Sequence, residues 1–312
     1  MTLNFINLIK PMKTKVLFTS ITKNNKNNIA DIARRLLEKT ISDNNIKLEK
    51  EIPLKIHPGT RGNISYVRAE NYQGIIDFLK EKNIKTYYIE TNTATGPRSN
   101  TTSHLQVIKE NGFANLPFVI ADGEKGFDHV KVKIDTGKHF QSCLIAGKLA
   151  EPKQIIVTSH FKGHIMSGFG GAIKQLGIGF ASARGKIDAH CKITIPDNET
   201  IDWSKRDILY DGKEFRQRSA EYALAAVNHK QYLYVTYAIS IVENCDCDGA
   251  PMKPIYEDLG IFASLDPVAI DKACFDLLQK REGKKPFDGD DIFAYAEEIG
   301  LGSTQYELIQ FS

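Results

Sequence analysis

The chain has 312 residues, 42% hydrophobic and 25% charged, with a formal net charge of +3. These values lie near the average for globular proteins and leave room for one large domain or two ordinary ones. The small excess of Lys and Arg is dispersed, and no apolar run reaches the length of a membrane span, so neither nucleic acid nor a membrane is an expected partner. Five cysteines, an odd number, follow a start (MTLNFINLIKPMKTKVLFTS) that makes a poor secretory signal, which argues for a reducing, cytoplasmic setting. Cys143 in SCLIAG and Cys274 in KACFDLL sit among apolar neighbours and read as core packing.

After a tail at 1–12, the strand-like runs KVLFTS, PLKIH, TYYIET, PFVIA and QIIVTS alternate with helix-like segments at 28–40, 65–82, 101–112 and 142–150. In the first of these helices Ile29, Ile32, Leu36 and Leu37 recur at helical spacing beside a polar face. Such alternation predicts an α/β fold with a mainly parallel sheet flanked by helices. Beyond residue 195 comes a polar, turn-rich stretch and then a helix at 214–228. The apolar run YLYVTYAISIV, the NCDCDG segment and a helix at 266–281 follow, the last opened by Asp266 as N-cap and Pro267 in its first turn. The expected organisation is two lobes, 13–199 and 200–312, with a cleft between them.

The loops after the strands hold the unusual residues: HPGTRGN, TNTATGPRSNTTSH and HFKGHIMSGFGG. In open α/β sheets ligands collect at the carboxyl ends of strands, so these loops are expected to converge on one site. His160 and His164 stand four apart, a spacing that on a helix would let both reach one metal. Gly163, Gly168, Gly170 and Gly171 oppose a regular helix there. Equally, either ring serves as a general base or as an ordinary structural histidine.

In GFGGAIKQ a glycine turn feeds a helix, where backbone amides and Lys174 can bind an anion. The other reading is glycines for tight packing and a surface lysine. The segment matches neither a Walker A loop nor a dinucleotide fingerprint. Cys245 and Cys247 point opposite ways on an extended chain, but a turn would bring both thiols to one metal, with Asp246 and Asp248 as harder ligands beside them. In KIHPGTRGN, with His57, Thr60 and Arg61, the arginine either grips a carboxylate or phosphate bidentately or caps a turn, and Arg98 in TGPRSNT has the same two readings.

In their order, KIHPGTRGN, YIETNTATGPRSN, IADG, VTSHFKGHIMSGFGGAIKQLGIGFASARGKIDAH, NCDCDG and DLGIFASLDPVAIDKA resemble the uncharacterised iron-sulfur centre proteins built on domain of unknown function 362. That family commonly carries an inserted ferredoxin module. The corresponding segment here holds one cysteine, Cys191, whereas each ferredoxin-type 4Fe-4S cluster needs four thiolates, so such clusters are not expected. A more distant resemblance is to the nickel-pincer lactate racemases. It matches Thr60 and Arg61 to their TR loop, His164 to their upstream histidine, Gly170, Gly171 and Lys174 to the cofactor motif, and His190 to the metal ligand. Their TGxHR loop is here Thr95, Gly96, Pro97, Arg98 and Ser99, without the histidine. A racemase needs an acid and a base on opposite faces of the reacting carbon, so lactate racemisation as such is not expected.

The resemblance implies a metal- or cofactor-dependent enzyme, of redox or isomerase type, acting on a small anionic metabolite. In it His164, Lys174, Arg61 and His160 would be catalytic, and Lys174, Gly168, Gly170, Gly171, Lys162 and Thr60 would surround a cofactor. His190, His164, Cys245 and Cys247 would hold a transition metal: nickel, iron or zinc. The alternatives are a non-catalytic binder of an anionic metabolite, and a protein that passes metal to a redox or metalloenzyme partner.

Overall fold

The structure is a computed structural model that describes residues 13–193, 201–202, 204–228 and 230–311. The expected tail at 1–12 and the expected boundary at residues 199 and 200 lie outside the described residues. The first half of the chain gives β1 (Thr14–Ser20), α1 (Ile29–Asp43), β2 (Leu54–Lys55), α2 (Gln73–Glu81), β3 (Tyr88–Glu90), α3 (Thr101–Glu110) and β4 (Phe118–Ile120). Then come β5 (His129–Lys133), β6 (Ser142–Ala146), α4 (Gly147–Ala150), β7 (Gln154–His160), β8 (Lys162–His164), β9 (Gly168–Gly170), α5 (Ala172–Gly177) and α6 (Ala183–His190). The remainder supplies α7 (Gly212–Val227), β10 (Gln231–Ala238), β11 (Gly260–Ser264), α8 (Pro267–Glu282), α9 (Asp291–Glu298) and β12 (Tyr306–Gln310).

Eight strands form one sheet in the order β12-β1-β11-β10-β7-β2-β3-β4. Seven run in one direction and β11 alone is reversed, paired antiparallel to β1 and β10. The fold is thus α/β with a mainly parallel sheet flanked by helices, as the alternation of elements predicts. Strands from beyond residue 200 (β10, β11, β12) interleave with strands from before it, so both halves of the chain share this one sheet.

The central strands explain why the sheet is covered on both faces. Every residue of β7 is buried, and its side chains alternate: Ile155 and Val157 enter one core, Ile156 the other. β10 does the same with Tyr232 and Tyr234 on the first side and Leu233, Val235 and Tyr237 on the second. Strands buried on both faces carry continuous apolar runs for this reason, and each fully buried aliphatic side chain contributes about 1.5–3 kcal/mol. The second core is roofed by α1, whose Ile32, Ala33, Leu36 and Leu37 are buried at helical spacing, and by α2. The first is roofed by α5, α7, α8 and α9.

Three expected helices differ in detail. The segment 142–150 is strand over Ser142–Ala146, paired with β5, and helical only at Gly147–Ala150, because Cys143 and Ile145 bury on alternate positions. Within 65–82, the α-helix spans only Gln73–Glu81, after a 3-10 turn at Ala69–Tyr72. The amides of Ser65 and Tyr66 donate to Asn63 Oδ1 instead, an Asx turn that competes with helix. The helix expected at 266–281 runs Pro267–Glu282, with Asp266 accepting from the amides of Val268 and Ala269 and Gly283 closing it at φ 67°.

Candidate functional site

The neighbouring parallel strands β10, β7, β2 and β3 end on one side of the sheet, and their outgoing loops surround a cavity of about 610 Å³. His57 arrives from β2, Thr91, Thr93, Ala94, Thr95 and Arg98 from β3, His160 from β7, and Asn244, Cys245, Cys247 and Asp248 from the chain after β10. Lys174 of α5 and Lys186 and His190 of α6 complete the wall. This is the place where a doubly covered parallel sheet leaves room for a ligand.

His160, Lys162 and His164 reach the cavity from extended chain. Alternation along β7 and β8 puts all three on one side, while Phe161 turns into the core and Gly163 lies where a Cβ would stand 2.0 Å from the Glu243 carbonyl. The helical pairing of His160 with His164 does not occur. The His160 ring is held at Nδ1 by Asp246 Oδ2 and at Nε2 by the Ile239 carbonyl, both at 2.7 Å. Both partners accept, so both ring nitrogens carry protons and His160 offers no lone pair to a metal. Lys162 Nζ lies 3.1 Å from the same Asp246 oxygen, and Ser65 Oγ donates to the other. Burial pushes the Asp246 carboxyl up, but the charges of His160 and Lys162 outweigh it and hold it well below the usual carboxylate range.

His164 Nδ1 accepts from the amides of Met166 and Ser167, each at 3.1 Å, which places the ring proton on Nε2. His190 has the opposite tautomer: Nδ1 donates to the Lys186 carbonyl at 2.6 Å, so the lone pair is on Nε2. Both rings lie against Phe215, at centroid distances of 6.2 and 4.4 Å. Burial, with the Lys174 charge adding to it, lowers the His164 pKa to about 4; burial lowers that of His190 to about 3. Both imidazoles are neutral at physiological pH.

Cys245 and Cys247 come together through a turn in which the Asp248 amide donates to the Cys245 carbonyl at 2.9 Å. One ligand atom from each of His164, Cys245 and Cys247 lies within 4.8 Å of the other two. The hydrogen bond from Cys247 pulls the Cys245 thiol well below its usual range, against burial and helped by Lys174, His164 and Lys162, while the same sharing pushes Cys247 up. A thiolate beside a second thiol is a soft donor pair suited to a transition metal. The fit is through sulfur: His164, with its proton on Nε2, stands beside the pair as an N–H donor. Asp246, a possible hard ligand from its sequence position, is consumed by His160, Lys162 and Ser65.

The glycine turn is built for a different purpose from the anion loop it resembles. The α5 amides of Ala172 and Ile173 donate to Asp271 of α8, at 2.6 and 2.9 Å, so the chain's own carboxylate fills the place of an anion. Gly170 and Gly171 line the cavity, but Gly168 packs against the Asp288 carbonyl outside it. Arg61, expected to grip a carboxylate ligand, is at the surface with its side chain 57% exposed and paired to Glu110 at 2.8 Å. Thr60 beside it is buried but does not line the cavity. The residues brought together are therefore His160, Lys162, His164, Gly170, Gly171, Lys174, His190, Cys245 and Cys247, without Thr60, Arg61 and Gly168.

Several residues of the site carry no motif of their own. Lys55 and Glu90 form a buried ion pair at 2.8 Å under the cavity, and Lys186 Nζ donates to Thr91 Oγ1, Asn92 O and Ala181 O. His57 accepts the Gly59 amide at Nδ1 and is lowered to about 3 by burial and the Arg98 charge. The available signal was a charged residue at the carboxyl end of an apolar strand, Lys55 in PLKIH and Glu90 in TYYIET.

An α/β protein with a polar, thiol-bearing cavity at the carboxyl ends of a mainly parallel sheet is the class these features define. Residues 52–276, more than half of the chain, match the domain of unknown function DUF362, and the chain belongs to that family. No curated protein matches it. Among solved structures, it is similar to the lactate racemase apoprotein from Thermoanaerobacterium thermosaccharolyticum, at 18% identity and a TM-score of 0.43 over 73% of this chain and 51% of that one. A Thermotoga maritima protein is similar at 15% identity and a TM-score of 0.45, over 81% of this chain and 59% of that one. The chain thus spans less than two thirds of either structure's length.

Proposed function

We propose that the chain is a metal- or cofactor-dependent enzyme, of redox or isomerase type, that acts on a small organic anion. The observation that carries this reading is the convergence, on one cavity, of two cysteines, two imidazoles of opposite tautomer and a lysine. Cys245 and Cys247 would hold a transition metal through sulfur, with Lys174 as the anchor of a cofactor, and the bound group would supply Lewis-acid or redox chemistry. His164 presents an Nε2–H that can hydrogen-bond an oxygen of the ligand, and His190 has an Nε2 lone pair that can bind a metal. The ferredoxin module plays no part in this reading.

The test is elemental analysis and intact mass of the full chain purified without oxygen from its own source. About one equivalent of a transition metal, or a covalent adduct on Lys174, is the expected result, lost in Lys174→Ala and Cys245→Ser. Native protein with neither metal nor adduct would overturn the reading. The solvent exposure of Cys247 favours one other function, transfer of metal to a partner protein. In that case, thiol-dependent transfer abolished by Cys247→Ser would be seen without turnover of any small molecule.

A further inference from the structure

Arg98 is 3% exposed and faces the cavity, and among the described residues no hydrogen bond or ion pair engages its guanidinium. A buried guanidinium without a counter-ion is costly, and proteins keep one where a ligand supplies the missing anion. The neighbouring carboxylates are already taken: Glu90 by Lys55, and Asp246 by His160 and Lys162. The backbone places Arg98 firmly. Its carbonyl accepts the Thr93 amide at 2.9 Å, Gly96 turns the loop at φ 82°, and Asn92 ties the loop's base to Asp122 and Gly123. Neither of the two expected anion sites competes for the role, since Arg61 is spent on Glu110 and the α5 amides are capped by Asp271.

We infer that Arg98 is the oxyanion seat of this cavity, gripping the carboxylate or phosphate group of the ligand. The inference rests on the reading above that the ligand is a small anion, and it names the residue that selects it. A guanidinium meets either oxyanion with two parallel N–H···O bonds, a fit that a lysine in its place would lose. Lys174, another cation lining the cavity, remains for the cofactor or the rest of the ligand.

The experiment compares thermal melting and calorimetric titration of the full chain as purified, with acetate and inorganic phosphate as probes and chloride at matched ionic strength as control. Wild type is expected to be stabilised by at least one probe beyond chloride, and which of the two does so identifies a carboxylate or a phosphate seat. Arg98→Met should weaken that binding by about tenfold or more, Arg98→Lys by less, and Arg61→Ala not at all. Without probe, Arg98→Met should melt no lower than wild type, because it removes a buried charge that no hydrogen bond or ion pair engages; a structural arginine would behave in the opposite way. Unchanged binding in Arg98→Met, or no stabilisation of wild type beyond chloride by either probe, would overturn the inference. Anion binding by protein that proves to lack metal and adduct would preserve the seat and remove the enzymatic reading. Metal-loaded protein whose anion binding ignores Arg98 would do the reverse.

Discussion

Asp271 closes the amino end of α5, and Gly171 is what admits it: a Cβ at Gly171 would stand 2.3 Å from Asp271 Oδ1 and 2.6 Å from Cγ. Two helices distant in sequence are thereby fixed to each other directly beside Lys174. Because Asp271 is itself fully buried, it has little room to withdraw. Gly171→Ala is expected to cost about 1–3 kcal/mol, as overpacking at a close approach does. A urea midpoint equal to that of wild type would show that the contact yields freely.

The same carboxylate makes stability depend on pH. Burial, outweighing the two amide hydrogen bonds, raises the Asp271 pKa from 3.8 to about 7. A raised folded-state pKa means that the folded protein binds this proton more tightly than the unfolded chain does. The stability it contributes is complete below about pH 4 and is lost as pH rises to about 7. Urea titrations of wild type and Asp271→Asn should give a stability difference that shrinks from pH 4 to pH 7 and is flat above. A difference constant across that range would refute the assignment.

Much of this architecture was legible in the sequence for a simple reason: buried parallel strands and amphipathic helices have different periods, and β7, β10 and α1 display theirs plainly. The loops that bear the site were legible too, as glycine- and histidine-rich breaks after apolar runs. What misled was spacing without conformation. His160 and His164 four apart suggest a helix face, yet the same residues with Lys162 between them fit a strand face equally well. Arg61 and Arg98 have equivalent local sequences, and only the packing of Glu110 against one loop separates a surface ion pair from a cavity wall. The capping of α5 by Asp271 depends on a contact across 99 residues, which local pattern does not encode.

The Arg61–Glu110 pair makes a clean contrast. It is exposed and salt-screened, and Arg61 does not line the cavity, so its loss should be felt little. Arg61→Ala is expected to leave metal content, anion binding and melting temperature close to those of wild type. A loss of metal or ligand in this variant would return the TR loop to the site and imply a movement of that loop on binding.

Asp246 is expected to be the most sensitive position in the site, although it does not line the cavity. It is fully buried and accepts from His160 Nδ1, Lys162 Nζ and Ser65 Oγ, so one carboxylate holds two cations and the segment between the two cysteines. Removing one partner of a buried ionic cluster leaves the others uncompensated, at about 3–5 kcal/mol. Asp246→Ala should therefore destabilise far more than Asp248→Ala, whose side chain is exposed and, among the described residues, accepts only from the Ala250 amide. The ring of His160 gives a second readout. Nitrogen NMR of wild type should show both ring nitrogens protonated, because both neighbours accept, and the variant should show a neutral ring with one proton. Protonation of a single ring nitrogen in wild type would mean that His160 keeps a lone pair, and would restore it as a base or a metal ligand.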